Sequence, residues 1–413
     1  MTRRRCRRVE AARRASTLTF AAILCLAALA SPLAQGQTFK VLYSFGAYPT
    51  DGALPAAGLL MDAAGNLYGT TRYGGSHEGC QPEGQCGTVF KLDTNGVETV
   101  LHNFAGPDGA NPLSNLIMDA KGDLYGTTEL GGDTSCEYGC GVVFKLSGAK
   151  ETVLYRFTGS EDGAWPFAGV IMDVHGALYG TTNQGGATGG GVAFKLTSKK
   201  ETVLHSFCSE NNCKDGTNLS SGLIMDTSGN LYGTATYGGD FYCQPDPCGV
   251  VFKLTGKKET VLYSFKGSPD GAFPVAALFM DASGNLYGTT MNGGKNSNGG
   301  TVFKVSQDGK ERVLHTFRGV HDGSTPYTAV IRDAQGNLFG TTLYGSSGRG
   351  CCGTVFEITA DGKEKVLHSF CTEKDCSDGV YPNDLIIDAK GNLYGTAYGG
   401  GINGNGTVFM ITP

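Results

Sequence analysis

Residues 62–75 read DAAGNLYGTTRYGG, and the chain writes this phrase seven times. Further versions begin at Asp119 (DAKGDLYGTTELGG), Asp173 (DVHGALYGTTNQGG), Asp226 (DTSGNLYGTATYGG), Asp281 (DASGNLYGTTMNGG), Asp333 (DAQGNLFGTTLYGS) and Asp388 (DAKGNLYGTAYGGG). The starts are spaced by 57, 54, 53, 55, 52 and 55 residues. A period of this length marks repeated supersecondary units. Inside the phrase, Asp can hydrogen-bond its own turn. The Gly three residues on supplies the positive φ required by a three-residue hairpin loop with a bulge.

Working outward, each unit carries four short apolar segments. In the second unit they are NLIMD (115–119), LYGTT (124–128), GVVFKL (141–146) and ETVLYRF (151–157). Each is strand-length and rich in Val, Leu, Phe, Tyr and Thr, which predicts a four-stranded antiparallel meander. Units of about this size repeated radially make a β-propeller, and seven units predict seven blades. The chain ends support closure. Six fourth strands end at Phe104, Phe157, Phe207, Phe265, Phe317 and Phe370, whereas the seventh unit stops after GTVFMI (406–411). Its missing strand is FKVLYSF (39–45), so the two ends are expected to share one blade, closing the ring and leaving no unpaired blade. The predicted fold class is therefore all-β, a single seven-bladed propeller domain over residues 37–413.

Residues 1–36 read as a secretory signal peptide. Seven Arg and one Glu precede LTFAAILCLAALA, and small residues follow in SPLAQGQ. Cleavage is expected after Ala30, Ala34 or Gly36. Arg13-Arg14 makes a poor twin-arginine signal and Cys25 a poor lipidation site. No later run is long and apolar enough for a transmembrane helix. The whole chain carries a net charge of −5 and residues 1–36 a net of +6, which leaves −11 for the rest. An acidic surface without basic runs argues against nucleic acid and anionic membranes.

The recurring D-x-x-G-N-L-Y-G-T-T, G-T-V-F-K-L and E-x-V-L-Y/H-x-F segments resemble the bacterial GloVer tandem repeats, named for the Gloeobacter and Verrucomicrobia lineages. The resemblance covers nearly all of the chain after the leader. It implies an exported or surface protein and no established biochemical activity. Some such proteins carry an appended anchor domain; this chain ends inside its last blade, so none is expected. A looser similarity extends to other secreted seven-bladed propellers, including NHL-type proteins and streptogramin lyases.

In a propeller blade the loop between strands two and three shares a face with the crossing to the next blade. These are the segments that vary here, whereas the other two turns are uniform. Binding is expected on the decorated face. Twelve cysteines outside the leader fall in six local pairs, all in decorated-face loops: Cys80/Cys86, Cys136/Cys140, Cys208/Cys213, Cys243/Cys248, Cys351/Cys352 and Cys371/Cys376. An even count in an exported chain predicts disulfides. A zinc site would need two pairs to converge, with His77 the one histidine suitably close; no metal or cofactor is expected.

The crossings share DGxxP, starting at Asp51, Asp108, Asp162, Asp270, Asp322 and Asp378; Asp215 begins DGTNL without the Pro. A turn is the expected role, with a cation-binding carboxylate ring at the channel mouth as the alternative. The residue before the Pro varies and is aromatic at Trp165, Phe273 and Tyr381. With Tyr138, Phe241 and Tyr242 in the neighbouring loops, these are candidate stacking surfaces for sugars or apolar side chains; blade packing is the alternative. Four histidines, His102, His205, His315 and His368, alternate with Tyr in the fourth strand and read as structural. His77 and His321 on the decorated face are candidate site residues, His77 near Glu78 and Glu83, His321 beside Asp322. No catalytic motif is present. The expectation is a monomeric, exported binding module for a glycan, peptide or envelope partner. A lyase or glycan hydrolase, with acids and His converging at the channel mouth, and a ligand-free spacer are the rivals.

Overall fold

A computed structural model describes residues 37–412, apart from 47–49, 77, 81–83, 199, 242, 244–246, 296–297, 320 and 346–350; for 78–80 and 84–85 it describes the backbone alone. The leader therefore lies outside the described residues. The remainder folds as seven four-stranded antiparallel sheets arranged as a β-propeller. Blade two runs Ile117–Met118, Leu124–Thr128, Val142–Ser147, Lys150–Arg156, each strand pairing with the next. The seventh blade closes the ring as expected: Val380–Ile387, Leu393–Gly399 and Thr407–Thr412 are completed by Thr38–Ser44, with Phe39 opposite Ile411.

The repeated phrase forms the turn its residues dictate. In blade two Gly122 N–H donates to Asp119 O and Asp119 N–H to Asp123 O, both at 3.0 Å, with Gly122 at φ +83°. Asp119 Oδ1 accepts from the amides of Lys121 and Asp123, and Oδ2 accepts from Tyr125 Oη. Burial opposes its ionisation, but these donors hold the carboxyl below the usual range.

Two aromatic rows hold the blades together. The third-strand Phe of each blade lies over the Gly of its own LYGT; a Cβ on Gly126 would come within 2.7 Å of the Phe144 ring. The Phe that ends each fourth strand reaches the third-strand Phe of the next blade. Phe45–Phe90 and Phe104–Phe144 meet edge to face at 5.1 Å, and Phe370–Phe409 does the same at the closing seam. Most of these rings are fully buried. Burying a Phe contributes roughly 1.5–3 kcal/mol, so this interblade row is a large share of what holds the ring.

The crossing motif is explained at the same seams. The DGxxP aspartates accept from the fourth strand that precedes them: Asp51 from Tyr43 Oη (2.8 Å), Asp162 from Tyr155 Oη (3.0 Å), Asp270 from Tyr263 Oη (2.7 Å), Asp108 from His102 Nε2 (2.9 Å) and Asp378 from His368 Nε2 (3.2 Å), while His315 Nε2 lies 3.4 Å from Asp322. Tyr and His alternate at this position because both deliver a donor to the same carboxylate. The alternative of a carboxylate ring at the channel mouth is thereby corrected, because these aspartates are spent on outer-strand donors and local amides. Burial opposes ionisation of Asp108, Asp215, Asp322 and Asp378, yet the histidine bond holds each below its usual range.

The residue before the Pro ties the decorated face. It adopts positive φ in every blade, Asn218 standing at this position in the blade where Leu219 replaces the Pro: Leu54, Asn111, Trp165, Asn218, Phe273, Thr325 and Tyr381 lie between +54° and +61°. Its N–H donates to the preceding blade's second-to-third-strand loop. Asn111, Trp165, Phe273 and Tyr381 donate to the carbonyls of Cys86, Cys140, Cys248 and Cys352. Its carbonyl accepts from its own blade, as in Arg72 N–H to Leu54 O and Glu129 N–H to Asn111 O.

Candidate functional site

An axial cavity of about 770 Å³ opens where the seven first strands converge, within the size range of small-molecule sites, roughly 300–1,000 Å³. Its wall is built from two repeat positions. One is the residue after the crossing Pro: Ala56, Leu113, Phe167, Val275, Tyr327 and Asn383, with Ser220 in the blade that lacks the Pro. The other is the residue after the second Thr or Ala of LYGTT/LYGTA, where Arg72, Glu129, Leu343 and Tyr398 line the cavity. The crossing pairs with the tail beyond that residue, through Ala53–Tyr73, Ala110–Leu130 and Ser324–Tyr344, and this brings both positions to the channel.

The cavity is unlike from side to side. Blades six and seven present Tyr327, Tyr344, Tyr381 and Tyr398. Tyr327 and Tyr344 are 49% and 42% exposed, and Tyr344 meets Tyr381 edge to face at 6.0 Å. Blades one and two present Arg72 and Glu129, paired at 3.6 Å, with Arg72 also over the Tyr73 ring. Tyr327 is near enough to feel both charges: its crowded setting raises the phenol, Arg72 pulls it down and Glu129 pushes it up.

A polar strut crosses deeper in the channel. Asn115 of blade two and Asp384 of blade seven occupy the position just before the buried Leu or Val of the first-strand segment, where other blades have Gly58, Gly169, Gly222, Ala277 or Ala329. Asn115 Nδ2 donates to Asp384 Oδ2 at 2.9 Å, and Ala329 N–H donates to Asp384 Oδ1 at 2.9 Å. Asn115 Oδ1 accepts from Gly58 N–H. Gly58 must be Gly, since a Cβ there would sit 2.7 Å from that of Asp384. Desolvation raises the Asp384 carboxyl above the usual range, against the two hydrogen bonds that lower it. Blade seven also runs from Pro382 to Asp388 with one residue fewer, PNDLIID where blade two has PLSNLIMD.

Of the residues singled out from sequence, Tyr381 lines this cavity. Trp165 lies half-buried in the seam between blades two and three, its Nε1–H donating to Gly139 O at 3.2 Å. Phe273 packs into the next seam but one, edge to face with Tyr237 at 5.5 Å. Tyr138 and Phe241 are exposed on the loops of separate blades, Phe241 under the Lys266 ammonium at 5.6 Å. His321 is exposed on the crossing between blades five and six. His77 and Tyr242 lie outside the described residues. Arg72, Glu129, Asn115, Tyr327, Tyr344, Asp384 and Tyr398 were not anticipated, although variability at their repeat positions was visible.

The cysteines bond locally as expected at Cys136–Cys140, Cys208–Cys213, Cys243–Cys248, Cys351–Cys352 and Cys371–Cys376. Cys86 is also disulfide-bonded, and the side chain of Cys80 lies outside the described set. Among the described residues no cluster of His, Cys, Asp and Glu could hold a metal, and no helix is long and apolar enough to cross a membrane.

The Gloeobacter/Verrucomicrobia repeat matches residues 33–244 and 211–409, together nearly the whole chain. The chain belongs to this repeat family. No curated protein matches this family member. Among solved structures it is similar to the extracellular domain of the B. thetaiotaomicron protein BT4673, described as a hybrid two-component system (TM-score 0.56, 12% identity, 90% of this chain and 39% of that one). It is also similar to PorZ, a surface component of the type-IX secretion system of Porphyromonas gingivalis (TM-score 0.51, 13% identity, 89% and 48%). The Gloeobacter/Verrucomicrobia repeat chain thus spans less than half of either neighbour, and at these identities the likeness is one of fold.

Proposed function

We propose that this protein is exported and works as a monomeric binding module, its ligand held in the axial cavity of the disulfide-braced face. The observation that carries this reading is the convergence of unlike side chains on that cavity from a scaffold otherwise written seven times over. A frame position repeats, whereas a site needs groups that differ around the ring. Arg72, Glu129, Tyr327 and Tyr398 differ from their counterparts and meet in one place. The bonded cysteine pairs fit an oxidising compartment, and the basic, apolar N-terminal leader fits export to it.

Gly222 offers the test. It lines the cavity, and a Cβ there would meet nothing nearer than Ala168 at 3.8 Å, so a larger side chain enters open space. The measurement compares the native protein with Gly222→Trp against panels of glycans, peptides and envelope proteins. Binding should disappear while the thermal midpoint holds. Binding that survives the filled cavity overturns the proposal.

Asp384 favours a second reading. A carboxyl with a raised pKa facing a cavity is suited to proton donation, as glycan-cleaving lyases and hydrolases require. On that reading Asp384→Asn binds substrate but no longer cleaves it; a native protein that leaves every bound glycan intact removes this reading.

A further inference from the structure

Resting on the cavity reading above, we infer that the ligand is the end of a neutral glycan, stacked on the tyrosines of blades six and seven. Three observations point there. The first is the aromatic wall. Tyr327 and Tyr344 leave 49% and 42% of their surface open, and Tyr344 is buttressed by Tyr381. Open phenol rings held by neighbours make low-entropy platforms for the C–H face of a sugar ring, and their hydroxyls remain able to bond its rim.

The second is the planar polar groups beside that wall. The Arg72 guanidinium and the Glu129 carboxylate present paired donors and acceptors, the geometry that adjacent sugar hydroxyls match two at a time, while the Asn383 amide oxygen and the remaining Asn115 N–H are single contacts. Asn383 and Asn115 are themselves held, by Pro55 O and Thr396 Oγ1 and by Gly58 and Asp384, so their orientation is fixed before a ligand arrives.

The third is charge. Arg72 is matched by Glu129, and both oxygens of Asp384 already accept hydrogen bonds. An anionic ligand or a peptide C-terminus would need an unmatched cation. An amine or a peptide N-terminus would need an unmatched carboxylate. Among the described residues lining the cavity no second cation stands beside Arg72, and the one further carboxyl, Asp384, is already held by two N–H donors; a neutral polyhydroxylated ring uses such groups as they stand.

Calorimetric titration of the oxidised full-length protein tests this. The probes are neutral oligosaccharides of glucose, mannose and N-acetylglucosamine, their uronate and sulfated counterparts, and short aromatic peptides. At least one neutral oligosaccharide should bind, with affinity falling about tenfold in Tyr327→Ala and in Tyr344→Ala. Both side chains are exposed, so these variants keep the fold, and circular dichroism checks that they do. Failure of every neutral oligosaccharide to bind overturns the glycan assignment. If instead a charged glycan or a peptide binds and is lost in Gly222→Trp, the glycan assignment falls while the cavity reading stands. A neutral oligosaccharide that binds equally well to Gly222→Trp and to both tyrosine variants sinks the two together.

Discussion

Phe39 lies flat on His368, ring centroids 3.7 Å apart and 6° from parallel, and this contact joins the first strand of the chain to the blade before it. In the other six seams the equivalent residue is a glutamate: Glu98, Glu151, Glu201, Glu259, Glu311 or Glu364. The closing seam is thus aromatic where the rest are acidic. Phe39 also contacts Phe370 and Phe409. Phe39→Ala should cost about 2–3 kcal/mol in urea denaturation. Removing residues 37–45 should do more, exposing the Thr407–Thr412 edge and producing oligomers on size exclusion. A monomeric deletion variant of native stability would contradict the ring closure.

The six glutamates make stability depend on pH in an unusual direction. Burial, with the preceding crossing aspartate beside it, pushes Glu98, Glu201 and Glu311 up to about 7 and Glu259 to about 8. Glu151 rises to about 6, and Glu364 is raised too, each by burial first. One oxygen of each is buried without a partner. A carboxyl raised in the folded state holds its proton more tightly there. Its stabilisation is complete below the unfolded value, near 4.3, and is lost as pH climbs through the folded one. The turn and histidine-bonded aspartates, held low, act oppositely and fail only at more acidic pH. The thermal midpoint should therefore peak near pH 4–5 and decline toward about pH 8. Glu259→Gln should flatten that decline in scanning calorimetry; a midpoint that climbs from pH 5 to pH 8 would show the seams to be wrongly described.

Two glycines should answer oppositely to the same substitution. Gly126→Ala places a methyl 2.7 Å from Phe144 and 2.9 Å from Leu116, an overpacking that costs about 1–3 kcal/mol. Gly222→Ala meets nothing closer than 3.8 Å and should fall within about 0.5 kcal/mol of native. Equal effects in chemical denaturation would mean that the second strand is not pressed against its neighbour as described.

Thr325 carries a β-branched side chain at φ +55°, a region such residues avoid. Asn occupies the same repeat position at Asn111 and Asn218 with φ of +54° and +56°. Thr325→Asn should stabilise the protein by about 0.5–1 kcal/mol, read as a higher thermal midpoint; a lower one would mean that Thr325 makes a contact that outweighs its backbone strain.

The frame was legible because its determinants are local and repeated. The turn Gly, the Asp before it and the third-strand Phe each announce their role seven times, and the phase offset between FKVLYSF and GTVFMI announced the closure. The site was less legible for a physical reason. The residue before the Pro reads as a site, because it varies and is aromatic at Trp165, Phe273 and Tyr381. That residue is left-handed in every blade, and at Trp165 and Phe273 its side chain goes to a seam while its neighbours line the channel. Sequence usually signals such a backbone with Gly; here Trp, Phe, Leu and Thr carry it, so the change of direction was hidden. The Asn115–Asp384 strut needed more still, since its partners lie 269 residues apart and meet only because the ring closes.

A ring of identical blades would offer an incoming molecule seven indistinguishable ways to sit. The segment from Pro382 to Asp388, one residue shorter than its counterparts, and the strut from blade seven to blade two abolish that degeneracy. On the proposed reading a guest meets a single orientation, the phenols of blades six and seven beside the ion pair of blades one and two, and an asymmetric ligand would be held one way round.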